Sequence, residues 1–176
     1  MKALAVFVLI VFIGVAGVLG AGGQTSEAAL QARLKQLFPA ATRFSPKTGN
    51  PPHFKAYGNL DGGEPTLVGF AFYSTELEPL ERAYDGPIQI LVGVDLRGLL
   101  AGIIVVDHNE PYGYFSVDTP EFAAQFVSKS VRDRFRVGDD IDAISTATIS
   151  VRSAARVVRN GSRRIARQFL DPEDVR

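Results

Sequence analysis

The chain has 176 residues, enough for one ordinary domain with a small appendage. Its 19 Lys and Arg residues balance 19 Asp and Glu residues, so the overall charge gives no reason to expect nucleic acid as a partner. The absence of cysteine excludes disulfides, thiolate zinc sites, cysteine-ligated iron–sulfur clusters and haem attached through a CxxCH motif. Any redox role must therefore use another cofactor.

The N-terminus begins MKALAVFVLIVFIGVAGVLGAGG, in which one Lys precedes an uncharged apolar run over residues 3–21. A membrane-spanning helix needs about 20 apolar residues, and this run is just long enough. The following LGAGGQ contains the small residues of a cleavage site. We therefore expect residues 1–22 to be either a membrane anchor or a cleaved signal segment. Lys2 favours an N-terminus on the inner side, so both alternatives export the rest of the chain.

The next segment, residues 26–38, reads SEAALQARLKQLF and favours an amphipathic helix, because apolar residues recur at i, i+4, i+7 and i+8. The residues of this apolar face are Leu30, Leu34, Leu37 and Phe38. Pro39 ends the helix. Residues 45–53, SPKTGNPPH, are rich in turn formers and are expected to form a loop. We assign residues 23–52 as an amphipathic helix and linker.

The chain after residue 52 contains four segments with strand patterns. These segments are HFKAYG, TLVGFAFYSTEL, PIQILVGVD and LLAGIIVVDH. The last two flank DLRG, in which Asp95 and Gly98 suit a tight turn, so they predict a β-hairpin. The apolar density of both arms predicts that they are central strands of a sheet.

Helical patterns dominate the C-terminal third. DTPEFAAQFVSKS predicts a short helix capped by Asp118 or Thr119, with Pro120 in its first turn. VGDDIDAIS is expected to be a short extended segment, and the tail, residues 172–176, is expected to fray. A long helix is predicted from about residue 150 to residue 169, with Gly161 costing it about 1 kcal/mol relative to Ala. Its inner face is Val151, Ala154, Ala155, Val158, Ile165 and Phe169. The fold class is therefore α+β, with an antiparallel sheet packed against helices.

Four hydroxyl residues lie at the start of this long helix: Ser145, Thr146, Thr148 and Ser150. A helix N-terminus presents unpaired backbone N–H groups and a partial positive charge. Ser145 or Thr148 could cap those N–H groups and need no ligand. The same geometry is also suited to a phosphate, which a hydroxyl could hydrogen-bond or esterify. The residues alone leave both interpretations open.

Residues 142–148, DAISTAT, resemble the flavinylation motif of the FMN-binding domain family. Members include the C subunit of the sodium-pumping NADH:quinone oxidoreductase, the G subunit of the Rnf complex and the regulatory flavoprotein of nitrous oxide respiration. The family pattern is Asp, small, any, Ser/Thr, Gly/Ser, Ala, Thr, with FMN joined to the final Thr by a phosphoester. The resemblance implies that Thr148 is the acceptor, with Asp142, Ser145, Thr146 and Ala147 as cofactor-binding neighbours. Thr146 departs from the pattern.

The resemblance extends upstream. Residues 86–115, GPIQILVGVDLRGLLAGIIVVDHNEPYGYF, are similar to the nitrous-oxide-respiration branch, with two strands followed by a His/Glu/Pro loop. His108, Glu110 and Gly113 match the loop of the other branches in position, while the Pro is shifted by one. The match implies that this loop lies beside the flavin. The loop aromatics could pack on the isoalloxazine ring or simply within the loop; they are Tyr112, Tyr114 and Phe115.

Arginines recur along the outer side of the long helix, at positions 152, 156, 159, 163 and 167. They form a solvated face, a docking surface for an acidic redox partner or anionic lipid, or, least expected, a nucleic-acid surface. Arg152 lies one turn after Thr148, where it could neutralise a phosphate.

Motifs for hydrolytic or metal chemistry are missing from the sequence. It contains no GxSxG, no paired His-x-x-x-His and no P-loop. Asp139, Asp140 and Asp142 lack the Gly and terminal Glu of an EF-hand and are expected to form a solvated turn. We therefore predict no catalytic residue and no metal ligand.

The function expected from the resemblance is electron transfer by FMN, held in residues 53–171 and bound covalently at Thr148. The protein would be a component of a redox chain and not a stand-alone catalyst. It would be tethered to a bacterial cytoplasmic membrane with its domain on the periplasmic side. Its partners would be redox proteins and a flavin transferase, with no nucleic acid. The alternatives are a cofactor-free binding or regulatory module with the same fold, and non-covalent FMN.

Overall fold

The computed structural model of the protein describes residues 21–59 and 63–175. Its elements, in chain order, are α1 (Ala21–Leu37), β1 (Ala41–Phe44), β2 (Phe54–Gly58), β3 (Thr66–Tyr73), α2 (Ser74–Leu77), β4 (Gln89–Asp95), β5 (Leu100–Asp107), a 3-10 turn (Gly113–Phe115), α3 (Pro120–Ala124) and α4 (Thr148–Phe169). The class is α+β, as the sequence predicts.

The strands form one antiparallel sheet in the order β1-β2-β3-β4-β5, so each strand pairs with its neighbour in sequence. The predicted hairpin is confirmed, since β4 and β5 pair across the DLRG turn. In that turn the Asp95 carboxylate accepts hydrogen bonds from the backbone N–H groups of Arg97 and Leu99, both at 2.9 Å. Strand β1 lies in the segment assigned as linker and extends the sheet beyond β2.

Helices cover both faces of the sheet. On one face Phe72 and Val92 pack in the cluster that contains Val158 of α4. On the other, Leu91 packs in the cluster that contains Leu34 of α1. Because successive strand residues point to opposite faces, a strand covered on both sides needs apolar residues at every position. This explains the unbroken apolar runs of β3 and β4.

Strand β5 is an edge strand, so the prediction that both hairpin arms are central is wrong for this arm. Its edge is partly occupied by the chain that follows α3. The Leu100 N–H donates to the Lys129 carbonyl, and the Ser128 N–H donates to the Leu100 carbonyl, both at 2.8 Å. A covered edge can be as apolar as an internal strand, and the sequence of the strand alone does not distinguish the two.

Helix α1 and the residue after it form the predicted apolar face, with Leu34, Leu37 and Phe38 buried. Helix α3 is shorter than its pattern suggested, and Thr119 is its cap, since the Thr119 hydroxyl accepts from the Phe122 N–H at 3.1 Å. The segment VGDDIDAIS is a turn with an isolated bridge between Val137 and Ile141, so the extended prediction is wrong. The segment closes on itself instead of pairing with a strand, since the N–H groups of Asp139, Asp140 and Ile141 all donate to the Arg136 carbonyl, at 3.0–3.2 Å.

The tail is exposed over residues 171–174, but it is held at two points and is not frayed. Val175 packs against the main hydrophobic cluster, and the Arg132 guanidinium donates to the Pro172 carbonyl at 3.1 Å. These contacts hold the tail beside the turn after β4.

The predicted anchor or signal segment, residues 1–22, lies almost entirely outside the described residues, which begin at residue 21. Across residues 21–59 and 63–175, none of the helices has both the length and the apolar character that crossing a bilayer requires.

Candidate functional site

A cleft of about 310 Å³ opens at the start of α4. Three segments form it: the N-terminus of α4, the loop after β5, and the segment between α2 and β4. The residues that line it are Tyr84, Glu110, Pro111, Tyr112, Thr146, Ala147, Thr148, Ile149 and Ser150. The cleft is therefore built from parts of the chain that are far apart in sequence.

The start of α4 has no side-chain cap. Ala147 occupies the N-cap position, with φ −119° and ψ 21°, and no side chain accepts a hydrogen bond there. The prediction that Ser145 or Thr148 caps this helix is therefore wrong in this structure. Thr148 is the first helical residue and is half-buried in the cleft wall. The hydroxyl of Thr148 and the positive end of the helix dipole consequently lie at the same cleft.

Thr146 adopts a left-handed backbone conformation, with φ of 70°. This region is unfavourable for a β-branched residue, because the side chain crowds the backbone. The hydroxyl of Thr146 donates to the Ser145 carbonyl at 2.5 Å. Thr146 is also the position at which this chain departs from the pattern Gly or Ser, and a Gly would adopt this φ without strain.

Glu110 joins the three segments that form the cleft. Its side chain is buried, at 7% exposure. One carboxylate oxygen accepts from the backbone N–H of Asp85 at 2.8 Å, and the other accepts from the hydroxyl of Ser150 on the first turn of α4. A buried carboxylate requires such partners, since leaving it without them would be costly. Glu110 thus holds the wall of the cleft together.

His108 packs against the loop after β5 and hydrogen-bonds to it. Its Nδ1 accepts from the Glu110 backbone N–H at 2.9 Å, which places the ring proton on Nε2, 2.9 Å from the Asp118 carboxylate. The imidazole packs directly on Gly113, where a Cβ would lie 2.1 Å from the ring. The resemblance matched His108, Glu110 and Gly113 as a set, and the structure brings these three residues together.

The loop aromatics are exposed beside the cleft. Tyr112 is 50% exposed, Tyr114 73% and Phe115 39%. Their rings contact one another, with centroids 5.5 Å apart for Tyr112 and Phe115 and 4.7 Å apart for Tyr114 and Phe115. Packing inside a loop core would bury them, so this exposure favours the alternative in which they are available to a planar ligand. Tyr84, also exposed, faces the same cleft.

The remaining predicted site residues lie outside the cleft lining. Ser145 and Asp142 are exposed, and the Asp142 N–H donates to the Gln125 side chain at 2.7 Å. Arg152 lines a separate basic groove. Sequence reasoning missed Tyr84 and Ile149 as lining residues, and no local pattern marks them, because Tyr84 meets α4 only through the fold.

The acidic segment is held by basic and backbone groups. Asp140 pairs with Lys129 at 3.2 Å, and Asp139 pairs with Arg134 at 2.9 Å. Among residues 21–59 and 63–175, no three His, Cys, Asp or Glu side chains are grouped so that they could hold a metal ion.

Comparison with known proteins relates the cleft to a family. Residues 83–162 match the FMN-binding domain family, and this segment includes every residue that lines the cleft. The chain is also similar to the G subunit of the ion-translocating oxidoreductase complex of Vibrio parahaemolyticus, with 26% identity over 126 residues. That alignment covers 66% of this chain and 57% of the relative, so the chain spans little more than half of the relative's length.

Proposed function

Because residues 83–162 match the FMN-binding domain family, whose cofactor is FMN, we propose that this protein is an electron carrier that holds FMN in the cleft at the start of α4. When bound, FMN supplies reversible uptake and release of electrons. The protein's own residues bind the cofactor, orient it and shape its surroundings.

The observation that carries the proposal is the position of Thr148. It is half-buried in the cleft wall at the first position of a helix that no side chain caps. Such a helix start attracts a phosphate through its backbone N–H groups and dipole. The side chain of Ala147 is a single methyl group, so this position places no bulky side chain over the backbone. The residues present therefore fit a flavin phosphate.

The shape of the cleft fits a partly exposed ring. Its volume, about 310 Å³, lies at the lower end of the range of about 300–1,000 Å³ that is usual for small-molecule sites. Tyr112 lines it and contacts Phe115, so an aromatic surface borders the opening. A ring left partly exposed suits an electron carrier, since a partner protein must come close to it.

The proposal includes a covalent link. In the attachment step the Thr148 hydroxyl oxygen would form a bond to the flavin-side phosphorus of FAD. The pyrophosphate bond would break, AMP would leave and the hydroxyl proton would be released. A flavin transferase with Mg²⁺ would catalyse this exchange. The match of residues 142–148 to the flavinylation motif supports this step.

The proposal also includes a location. The relative belongs to an ion-translocating complex, and residues 3–21 of this chain are uncharged and apolar. Both observations support a protein tethered to the bacterial cytoplasmic membrane, with its domain on the extracytoplasmic side and redox proteins as partners. A covalent bond would be useful there, because released FMN would be lost from the cell.

Co-expression of the full-length chain with a flavin transferase tests the proposal. We expect the intact mass to rise by one FMN residue and flavin absorbance to survive denaturation. Thr148→Val removes the acceptor hydroxyl and should abolish both signals, whereas Thr42→Val removes the hydroxyl of an exposed residue of β1, outside the motif and the cleft, and should keep them. A Thr148→Val protein with the same covalent flavin would contradict the assignment of the acceptor.

Two other outcomes distinguish the alternatives. Flavin that acid precipitation releases from the wild-type protein would indicate non-covalent FMN. A colourless protein, purified after expression with an active transferase, would indicate a cofactor-free binding or regulatory module.

A further inference from the structure

A groove of about 570 Å³ runs along α4. It shares no lining residue with the cleft at the start of that helix. Two elements form it: the outer side of α4 and the segment of residues 134–137. The residues that line it are Arg134, Phe135, Arg136, Val137, Arg152, Arg156, Arg159 and Arg163. We call this feature the basic groove, because six of its eight lining residues are arginines.

The helix arginines follow one line. Arg152, Arg156, Arg159 and Arg163 are spaced by four, three and four residues, so they share one side of α4. With a rise of about 1.5 Å per residue, they extend over about 16 Å along the helix axis. A solvated helix face would mix acidic with basic residues, and this line contains no acidic residue.

Carboxylates neutralise this charge only in part. Arg156 pairs with Glu81 at 2.7 Å, and Arg134 pairs with Asp139 at 2.9 Å. In the described part of the chain, no carboxylate lies within ion-pair distance of the other arginines of the groove. These are Arg136, Arg152, Arg159 and Arg163.

Arg163 is a half-buried residue of the groove lining. Its guanidinium donates to the backbone carbonyls of Val131 and Asp133, at 2.9 and 2.8 Å, so it is held in place but keeps its charge. Burial lowers the pKa of Arg163, and the nearby charges of Arg159 and Arg167 lower it further. The contribution of Arg159 and Arg167 to this lowered pKa reflects the positive charges that lie near Arg163.

The positive charge of the groove contrasts with the balanced charge of the whole chain. Lys and Arg balance Asp and Glu over the sequence, yet one groove collects six arginines. Separated charge orients a protein as it approaches a partner of opposite sign. Guanidinium groups bind carboxylates in a planar, two-bond geometry, so a line of arginines fits a segment rich in Asp or Glu.

We propose that the basic groove docks an acidic segment of the protein that exchanges electrons with the bound flavin. The redox role of this partner rests on the function proposed above, whereas the binding of an acidic segment does not. A concave groove about 16 Å long accepts about five residues of extended chain, while a bilayer surface is too broad to enter it. Arg152 lies one helical turn from Thr148, about 6 Å along the axis, so a docked partner would lie near the cleft.

The experiment uses the full-length protein in nanodiscs of neutral phosphatidylcholine and a fluorescent hexaglutamate peptide as the probe. We expect binding to weaken steeply as salt concentration rises. The double variant Arg152→Glu/Arg159→Glu should weaken binding at least about tenfold, because both side chains lack a carboxylate partner in the wild type. The matched control, Arg43→Glu/Arg82→Glu, makes the same charge change at exposed positions outside the groove and should bind as the wild type does.

A third variant tests the geometry. Arg152→Lys/Arg159→Lys keeps the charge but removes the planar two-bond contact, so we expect binding between that of the wild type and that of the reversed variant. Equal binding by the wild type and the reversed variant would overturn the proposal. So would loss of affinity for phosphatidylglycerol vesicles in the reversed variant while its peptide binding stays at the wild-type level, since the groove would then take anionic lipid.

The outcomes for docking and for flavin are separable. Flavin content of each variant is measured by absorbance alongside peptide binding. Peptide binding that depends on Arg152 and Arg159 in a protein without flavin would support the docking surface and contradict the electron-carrier function. A flavin-loaded protein whose peptide binding does not depend on these two arginines would support the electron-carrier function and contradict the docking surface.

Discussion

The buried carboxylate of Glu110 accepts a hydrogen bond from the hydroxyl of Ser150, and this contact fixes the loop after β5 to the first turn of α4. Ser150 follows Thr148 by two positions, so the same contact positions the proposed acceptor of the flavin phosphate. The other oxygen of Glu110 bonds to the Asp85 backbone, which brings the third wall of the cleft to the same carboxylate.

Removing this carboxylate should destabilise the protein and impair flavin attachment. Glu110→Ala leaves the Asp85 N–H and the Ser150 hydroxyl without their acceptor, so we expect the free energy of unfolding to fall by about 2–4 kcal/mol. Ser150→Ala should cost about 1–2 kcal/mol. Urea unfolding measures both, and a double-mutant cycle gives their coupling. The control Glu64→Ala alters an exposed carboxylate and should stay within about 0.5 kcal/mol of wild type. Additive effects would contradict a direct contact.

Thr146→Gly should stabilise the protein although it adds a glycine. The left-handed backbone of Thr146 costs about 1–2 kcal/mol for a residue with a side chain, while a glycine costs about 0.5–1 kcal/mol through the entropy of the unfolded chain. We therefore expect a net gain of about 0.5–1 kcal/mol in the free energy of unfolding. Thr42→Gly is the matched control, in an extended strand, and should lose stability. A loss for both variants would show that position 146 is not strained.

Gly161→Ala should destabilise the protein, although alanine has a higher helix propensity than glycine. Alanine is better than glycine in a helix by about 1 kcal/mol, but a Cβ at position 161 would lie 2.4 Å from the ring of Phe72, which is fully buried. Overpacking of this kind costs about 1–3 kcal/mol, so we expect a net loss of about 1–2 kcal/mol in thermal or urea unfolding. Phe72→Leu combined with Gly161→Ala should show favourable coupling, because the smaller side chain makes room.

The exposed position Gln168, on the same helix, provides the control for helix propensity. Gln168→Ala should change the free energy of unfolding by less than about 0.5 kcal/mol. A Gly161→Ala protein more stable than wild type would mean that the close approach of Phe72 does not disfavour a side chain at position 161.

Acid should remove the contribution of Asp140 to stability. Burial raises the pKa of its carboxyl, but hydrogen bonds from the backbone N–H groups of Arg136 and Phe135 and from Lys129 outweigh this, so the pKa lies below its ordinary value of 3.8. A lowered folded-state pKa contributes stability that is complete above the unfolded-state value and disappears as the pH falls through the folded-state value.

Asp140→Asn should therefore cost about 1–2 kcal/mol near pH 7, with the difference from wild type shrinking as the pH falls below about 4. Thermal unfolding of both proteins across this range measures the difference. Asp139→Asn is the control, since its pair with Arg134 is exposed and should contribute little at any pH. A difference that stays constant down to about pH 2 would contradict the role of the charged carboxyl.

Much of the architecture could be read from local patterns. The alternating burial of β2, the turn chemistry of Asp95 and Gly98, and the apolar stripe of α4 each depend on neighbours within a few residues. Local sequence favours such elements before any tertiary contact forms. The α+β class and the hairpin followed from them, and the motif at residues 142–148 predicted Thr148 as the acceptor.

Tertiary packing decided the rest, because it depends on which distant segments meet. The edge position of β5, the packing of Val175 and the uncapped start of α4 are set by contacts that no short window contains. Tyr84 and Glu110 reach α4 only because the sheet order places their loops at its N-terminus, and the arginines of α4 form a groove only because residues 134–137 fold back beside them. Periodicity tells which side of an element is apolar, but only the assembled sheet and helices determine what that element faces.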